Sequence, residues 1–351
     1  MIKEVKKFIC VVLTLLILVG VLSACQPDTR TQLNIYNVGD YINEDVIDLF
    51  EKENPDIKIN YETYYANEEM YVKVANKSSD YDVVFPSDYM IQKMQDEGLL
   101  NKINFENIPN YEKISSEFKG LDYDPEEEYS VPYMWGTMGI LYNKNLVKED
   151  VTSWKILWDE KYAKNIFMLD TERDTLGITL KMLGYSLNTG DENELKAAKD
   201  ALVSQKPLVL AYCGDEVKDK MINEEAALSV VWSGDAYYCM SQNENLAYAI
   251  PEEGTNLWFD AMVIPTTSTH QAEAERFINF MCRPDIAKMN VEYIEYSTPI
   301  GEVKEQLDDS VKNDLMRYPD ITKVNNMEIF NYDKELTKRY SEIWQEIKIS
   351  N

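Results

Sequence analysis

Hydrophobic and polar positions change period repeatedly along this chain, and each change marks an element. Residues 32–36 (QLNIY) read as a short strand. Residues 43–54 (NEDVIDLFEKEN) place Val46, Leu49 and Phe50 on one face of a helix, which Pro55 stops. Residues 57–64 (IKINYETY) alternate as a second strand, residues 82–85 (DVVF) have the short apolar run of a buried parallel strand, and residues 89–97 are helical. This β-α-β-α rhythm predicts a twisted sheet flanked by helices.

Residues 131–142 (VPYMWGTMGILY) form an extended apolar segment without helical period, as expected of a crossover between lobes. A second α/β run follows. Strands are expected at residues 166–169, 208–212, 227–232 and 246–250, and a helix at 175–183. Residues 257–265 (LWFDAMVIP) read as a further strand, followed by an amphipathic helix over 271–281. No internal repeat is visible. Two α/β lobes joined by extended crossovers place a ligand cleft between them, lined by loops at the carboxyl ends of strands. Those loops are residues 37–41, 86–89, 170–174, 232–235 and 258–260.

The head of the chain sets the compartment. Lys3, Lys6 and Lys7 precede an apolar run over residues 8–21, and Leu22-Ser23-Ala24 leads into Cys25. This is the pattern of a secretory signal and resembles a bacterial lipobox, in which Cys25 becomes the lipidated N-terminus. The expected product is tethered to the outer side of the cytoplasmic membrane through residues 25–31, on the periplasmic side if an outer membrane exists. No later apolar run approaches the ~20 residues needed to cross a bilayer.

The chain carries 62 acidic against 35 basic residues, a net charge of −27 that becomes about −29 when residues 1–24 are removed. Such a surface repels phosphate backbones, which excludes nucleic acid as a partner, and gathers cations. Beyond the head, Cys213, Cys239 and Cys282 are an odd set without a CxxC; they read as buried thiols, with one Cys213–Cys239 bridge left open. The single histidine, His270, reads as a solvated surface residue, which removes most Ser-His-Asp and Cys-His mechanisms from contention along with His-rich metal sites. No GxSxG, P-loop or GxGxxG stands in a strand–turn–helix context, so neither cofactor nor metal is implied.

The five loops share a chemistry. NVGDY, PSDY, DTERD, WSGD and WFD each contain an aromatic residue, a carboxylate, or both. Aromatic faces cover methylenes and attract ammonium groups, each contact contributing about 0.5–2 kcal/mol. Carboxylates accept charge-assisted hydrogen bonds from amines. The combination suits a flexible dication or trication with an apolar stem.

From the lipobox to the last helix, the chain resembles the extracellular polyamine-binding component of spermidine/putrescine ABC importers. The matching segments are IYNVGDYI, YDVVFPSDYM, VPYMWGTMGILYN, KMLGYSLNT, VVWSGDA, LWFDAMVIP, FINFMCRPDIAK and YSTPIGE. The resemblance implies an α/β, two-lobe, type II periplasmic-binding-protein-like fold with a hinge and an interlobe cleft. Lobe one is expected over 32–136 plus 260–305, and lobe two over 137–259 plus 306–351. It also implies a monomer that delivers putrescine or spermidine to a membrane permease. Carried over residue by residue, Tyr41 and Tyr296 match aromatic walls and Asp40 an acidic residue beside the first. Ser87 and Tyr89 match contacts of the PSxY loop, and Trp232 and Trp258 two indoles that sandwich the methylenes. Asp260 matches the carboxylate that fixes an amine, Asp235 a residue typical of putrescine-type members, and Asp174 a position where Glu is usual. Three departures bear on the choice of polyamine. Val38 stands where Trp is usual, Thr171 where some spermidine binders have a carboxylate (for which Asp170 or Glu172 could compensate), and Phe330 roughly where a Gln contacts ligand.

Three other readings stay open at this level, one of them a purely structural lipoprotein or adhesin, which leaves the pattern of the five loops unexplained. A metal receptor would need clustered Tyr oxygens. A surface glycoside hydrolase would use Asp235 and Asp260 as its carboxyl pair.

Overall fold

The computed structural model describes residues 28–78, 80–321 and 326–350, so the head and Cys25 lie outside the described residues. Among the described residues nine strands form one hydrogen-bonded sheet, with β1 at Thr31–Val38, β2 at Ile57–Tyr64, β3 at Val83–Val84, β4 at Ser130–Asn143, β5 at Ile166–Leu169, β6 at Val209–Cys213, β7 at Leu228–Trp232, β8 at Leu246–Ala249 and β9 at Leu257–Val263. The order is β2-β1-β3-β9-β4-β7-β5-β6, with β8 also on β4. The lobes therefore do not carry separate sheets. Thr137 is the last residue of β4 to pair with β9, and from Met138 onward β4 pairs with β7 and β8. The segment expected to be a crossover is a strand shared by both lobes.

In the first lobe β1 pairs in parallel with β2 and β3, while β9 runs antiparallel to β3 and β4. The alternation of β2 is realised, with Ile57 and Ile59 buried. Asn43 caps the helix Glu44–Glu53 by accepting from Asp45 N at 3.0 Å, and Val46 and Phe50 turn inward. The Phe50 ring meets Phe277 and Phe280 edge-on at 5.3 and 5.2 Å, which docks that helix on the amphipathic helix Gln271–Met281. In the second lobe β5 is parallel to β6 and β7. The C-terminal helix Lys334–Ile349 buries Tyr340, Ile343 and Ile347 against Leu176 and Leu180 of Glu172–Leu183 and Leu195 and Leu202 of Glu192–Gln205.

Several expectations change. Trp258 and Asp260 lie inside β9 rather than in a loop, because β9 runs antiparallel and its first residues start at the cleft. Cys213, Cys239 and Cys282 are all buried free thiols, so the Cys213–Cys239 bridge is not made. His270 is only partly exposed and sets Nδ1 3.4 Å from the buried carboxylate of Asp82. The helices Asn67–Ala75, Glu192–Gln205 and Pro284–Ile294 fall where no helix was expected. No described helix is long and apolar enough to cross a membrane.

Candidate functional site

The carboxyl ends of β1, β3, β5, β6 and β7 converge with the start of β9 on one cleft of about 300 Å³. The cleft brings together all ten residues singled out in the sequence: Asp40, Tyr41, Ser87, Tyr89, Asp174, Trp232, Asp235, Trp258, Asp260 and Tyr296. Val38, Thr171 and Phe330 line it too. It carries nine carboxylates against two cations, Arg173 and Lys218, so its field favours a cationic guest.

Asp260 is the centre of this arrangement. Its Oδ2 accepts from the Tyr41 hydroxyl at 2.8 Å, while Oδ1 is buried and has no hydrogen-bond partner. Burial raises its pKa to about 6, against the nearby Ser87 hydroxyl and the Tyr41 hydrogen bond, which favour the charged form. The Tyr296 ring meets Trp258 edge-on at 5.2 Å and Tyr41 at 5.4 Å, so two aromatic side chains and an indole surround the carboxylate. Trp258 Nε1 and Asn256 Oδ1 are also buried without partners. Buried polar atoms without partners mark where a guest supplies hydrogen bonds.

The neighbouring carboxylates are held differently. Thr171 donates to Asp174 Oδ2 at 2.7 Å, and burial lifts Asp174 to about 6. The hydroxyl at position 171 thus orients Asp174. Asp170 and Glu172 also line the cleft, where Asp170 pairs with Lys348 and Glu172 accepts from Ser341 at 2.7 Å. Asp235 is raised by burial, partly offset by Lys218, whose ammonium lies 3.7 Å away. The helix Ser233–Gln242 is capped at Trp232 without a side-chain bond, so Asp235 does not act as its cap. Asp40 sits at the exposed rim and accepts from the Tyr293 hydroxyl at 2.9 Å.

Asp88, Asn67, Glu68 and Arg173 line the cleft without an obvious sequence signal. Asp88 is buried and accepts from Tyr89 N at 2.7 Å and Phe259 N at 3.0 Å, which fastens the PSDY loop to β9; burial pushes it up to about 8. Ser87 is clasped by Asn67, which donates to its Oγ at 3.0 Å and accepts from its backbone N at 3.1 Å. Tyr89 donates to Glu68 at 3.0 Å, and the Arg173 guanidinium stacks over the Tyr89 ring at 4.2 Å and the Phe330 ring at 5.2 Å. Phe330 therefore serves as a platform for Arg173. Gly39, at φ +41°, brings β1 against the second lobe, where an added Cβ would lie 2.6 Å from Asp215 Oδ2. Among the described residues, no group of three or more His, Cys, Asp or Glu is placed to hold a metal ion.

A curled mixed sheet, a strand common to two lobes and a deep acidic, aromatic cleft define a two-lobed solute-binding protein. Residues 45–317 match the model of the bacterial extracellular solute-binding proteins, and the chain belongs to that family. It is 33% identical over 329 residues to the spermidine/putrescine-binding periplasmic protein of Escherichia coli, covering 93% of this chain and 94% of the relative. The putrescine-binding periplasmic protein SpuD of Pseudomonas aeruginosa is 28% identical, with 90% of each chain covered. Among solved structures, the spermidine/putrescine ABC transporter substrate-binding protein PotD of Streptococcus pneumoniae superimposes with a TM-score of 0.79 at 40% identity, covering 91% of this chain and 99% of that one. These neighbours have the type II periplasmic-binding-protein fold. The chain is thus an extracellular transport protein that binds a solute for import.

Proposed function

We propose that the solute is a polyamine, putrescine or spermidine, which this chain hands to an ABC permease without chemically altering it. The observation that carries the reading is the Asp260 carboxylate, buried, charged near neutral pH and with one oxygen unsatisfied, beside Trp258, Tyr41 and Tyr296. One ligand ammonium would bond Asp260 Oδ1, with methylenes between Trp232 and Trp258 and a further ammonium toward Asp174. The relatives named above support the ligand class. The ten cleft residues are the proposed contacts.

The lobes would be 32–136 plus 260–305 and 137–259 plus 306–351, closing over the ligand about β4 and β9. The head would be cleaved before Cys25 and a lipid on that thiol would tether a monomer through residues 25–31. Two acyl chains suffice for stable attachment where one is marginal. The glycoside hydrolase reading gains nothing from the cleft, because Asp235 faces Lys218 and Asp260 faces Tyr41. Calorimetry with putrescine, spermidine and spermine on the protein lacking residues 1–24 tests the proposal. Saturable one-to-one binding supports it; absence of heat with all three at millimolar concentration overturns it.

A further inference from the structure

The Asp235 end of the cleft already contains a cation. Lys218 projects from the short helix Val217–Ile222, lines the cleft, and sets Nζ 3.7 Å from Asp235 Oδ1, with only 21% of the lysine side chain and 8% of the aspartate side chain exposed. Burial disfavours the ammonium, yet Asp235, Asp215 and Asp40 together outweigh it and hold Lys218 charged. Asp215 and Asp40 stand at the exposed rim, where solvent screens them. Asp235 is the desolvated carboxylate at this end, and Lys218 is its counter-ion. Elsewhere in the cleft Asp260 keeps an oxygen without a partner and Asp174 is bonded only by a neutral hydroxyl. Arg173 is drawn aside by the Tyr89 and Phe330 rings and donates to Thr337 Oγ1 at 3.0 Å.

We propose that Lys218 occupies the Asp235 station as a tethered ammonium and so sets the number of ligand ammoniums the cleft can neutralise at two, those at Asp260 and Asp174. The inference rests on the polyamine reading and specifies its selectivity. A diamine fills both remaining stations. A triamine fills the same two and brings its third ammonium toward Lys218, where like charge cancels the gain. Lys218 is thus a selectivity residue that narrows the advantage of spermidine over putrescine.

Lys218→Gln removes the charge and leaves Asp235 buried and unpaired. A triamine can then supply the missing cation, whereas a diamine gains only an alternative pose. Calorimetry with putrescine and spermidine should show spermidine tightening about tenfold or more in Lys218→Gln, as expected for filling a desolvated charge site. Putrescine should change by no more than about twofold, and Lys218→Arg should keep the wild-type ratio of affinities. Should Lys218→Gln fold poorly, Asp235→Asn provides the second variant. It strands the Lys218 charge in the cleft and should weaken both ligands, and the double variant should return to the wild-type ratio. An unchanged spermidine/putrescine ratio in Lys218→Gln, or unchanged affinities in Asp235→Asn, overturns the proposal and reduces the pair to a tie between two helices of one lobe. If the wild-type protein binds neither amine, the polyamine reading fails first and this inference falls with it; a wild type that binds with an unmoved ratio in the variants refutes the inference alone.

Discussion

Replacing Asp260 by Asn should weaken ligand binding and stabilise the empty protein, two effects of opposite sign from one substitution. Asn keeps the shape and can still meet the Tyr41 hydroxyl that lies 2.8 Å from Oδ2. What disappears is the charge. Breaking a desolvated pair by removing one partner costs about 2–5 kcal/mol, so affinity for putrescine and spermidine should fall at least tenfold. The empty protein gains because burial holds the Asp260 pKa at about 6 against an ordinary 3.8. A carboxyl group raised in this way favours the native state most below the unfolded value. That contribution is lost as the pH rises through about 6. At neutral pH the ionised group therefore costs the folded protein roughly 3 kcal/mol, at ~1.4 kcal/mol per pH unit. Asn removes this cost, and the melting temperature of the ligand-free protein at pH 7.5 should rise by a few degrees. Calorimetric titration and thermal denaturation of the same two proteins measure both effects. Unaltered affinity refutes the assignment of Asp260 to the ligand. A lower melting temperature refutes the claim that its charge is held at the expense of stability, a compromise familiar at functional sites.

Three further outcomes follow from the same geometry. Asp260 and Asp174, both near 6 when empty, take up protons as the pH falls from 7.5 to 5, and an ammonium binds only the ionised forms; below 6 affinity should drop toward about tenfold per unit for each of the two groups, and Asp260→Asn should halve that slope in a pH series of titrations. Trp258→Leu removes an indole beside Asp260 and should weaken binding about three- to thirtyfold, as expected for losing a ring–ammonium contact of about 0.5–2 kcal/mol, measured by competition against the wild type. Cys25→Ala should abolish lipid attachment, so that the protein is released or accumulates as full-length precursor; retention in the membrane fraction at the wild-type size would argue against the anchor.

Much of the cleft was legible because its residues follow strands whose patterns are strong. The strand reading of QLNIY and the apolar run DVVF place residues 37–41 and 86–89 at strand ends, and WSGD starts at the last residue of β7. What local pattern does not carry is register between distant segments. Asp88 reads as one more acidic residue until its bond to Phe259 N, 171 positions away, is seen. Lys218 sits in DEVKDK, a stretch that looks like solvated surface, and its place beside Asp235 depends on β6 and β7 pairing with opposite edges of β5. The helix Glu192–Gln205 did have a signal, since Asp191 accepts from Asn193 N and Glu194 N at its start, as an N-cap should. Pro284 at the first turn of Pro284–Ile294 is another. The partition into two lobes was visible in outline. Their sharing of β4 was not, because a long apolar strand has the same sequence whether its neighbours change along its length or not.

That shared strand constrains how occupancy of the cleft can be sensed from outside. β4 runs for 14 residues, about 45 Å at strand rise, and is hydrogen-bonded to neighbours in one lobe along its first part and in the other along the rest. The lobes cannot slide past each other without breaking that ladder. Relative movement has to pass through backbone torsion near Gly136–Met138, where the partners change. Gly136 has room for no side chain, since an added Cβ would lie 2.5 Å from both Ser233 Oγ and the Trp258 indole. The pivot is therefore built against a wall of the cleft itself. A guest seated on Trp258 bears on the axis, while the outer faces that a membrane partner meets lie at the ends of the lever, where a small turn is magnified into displacement.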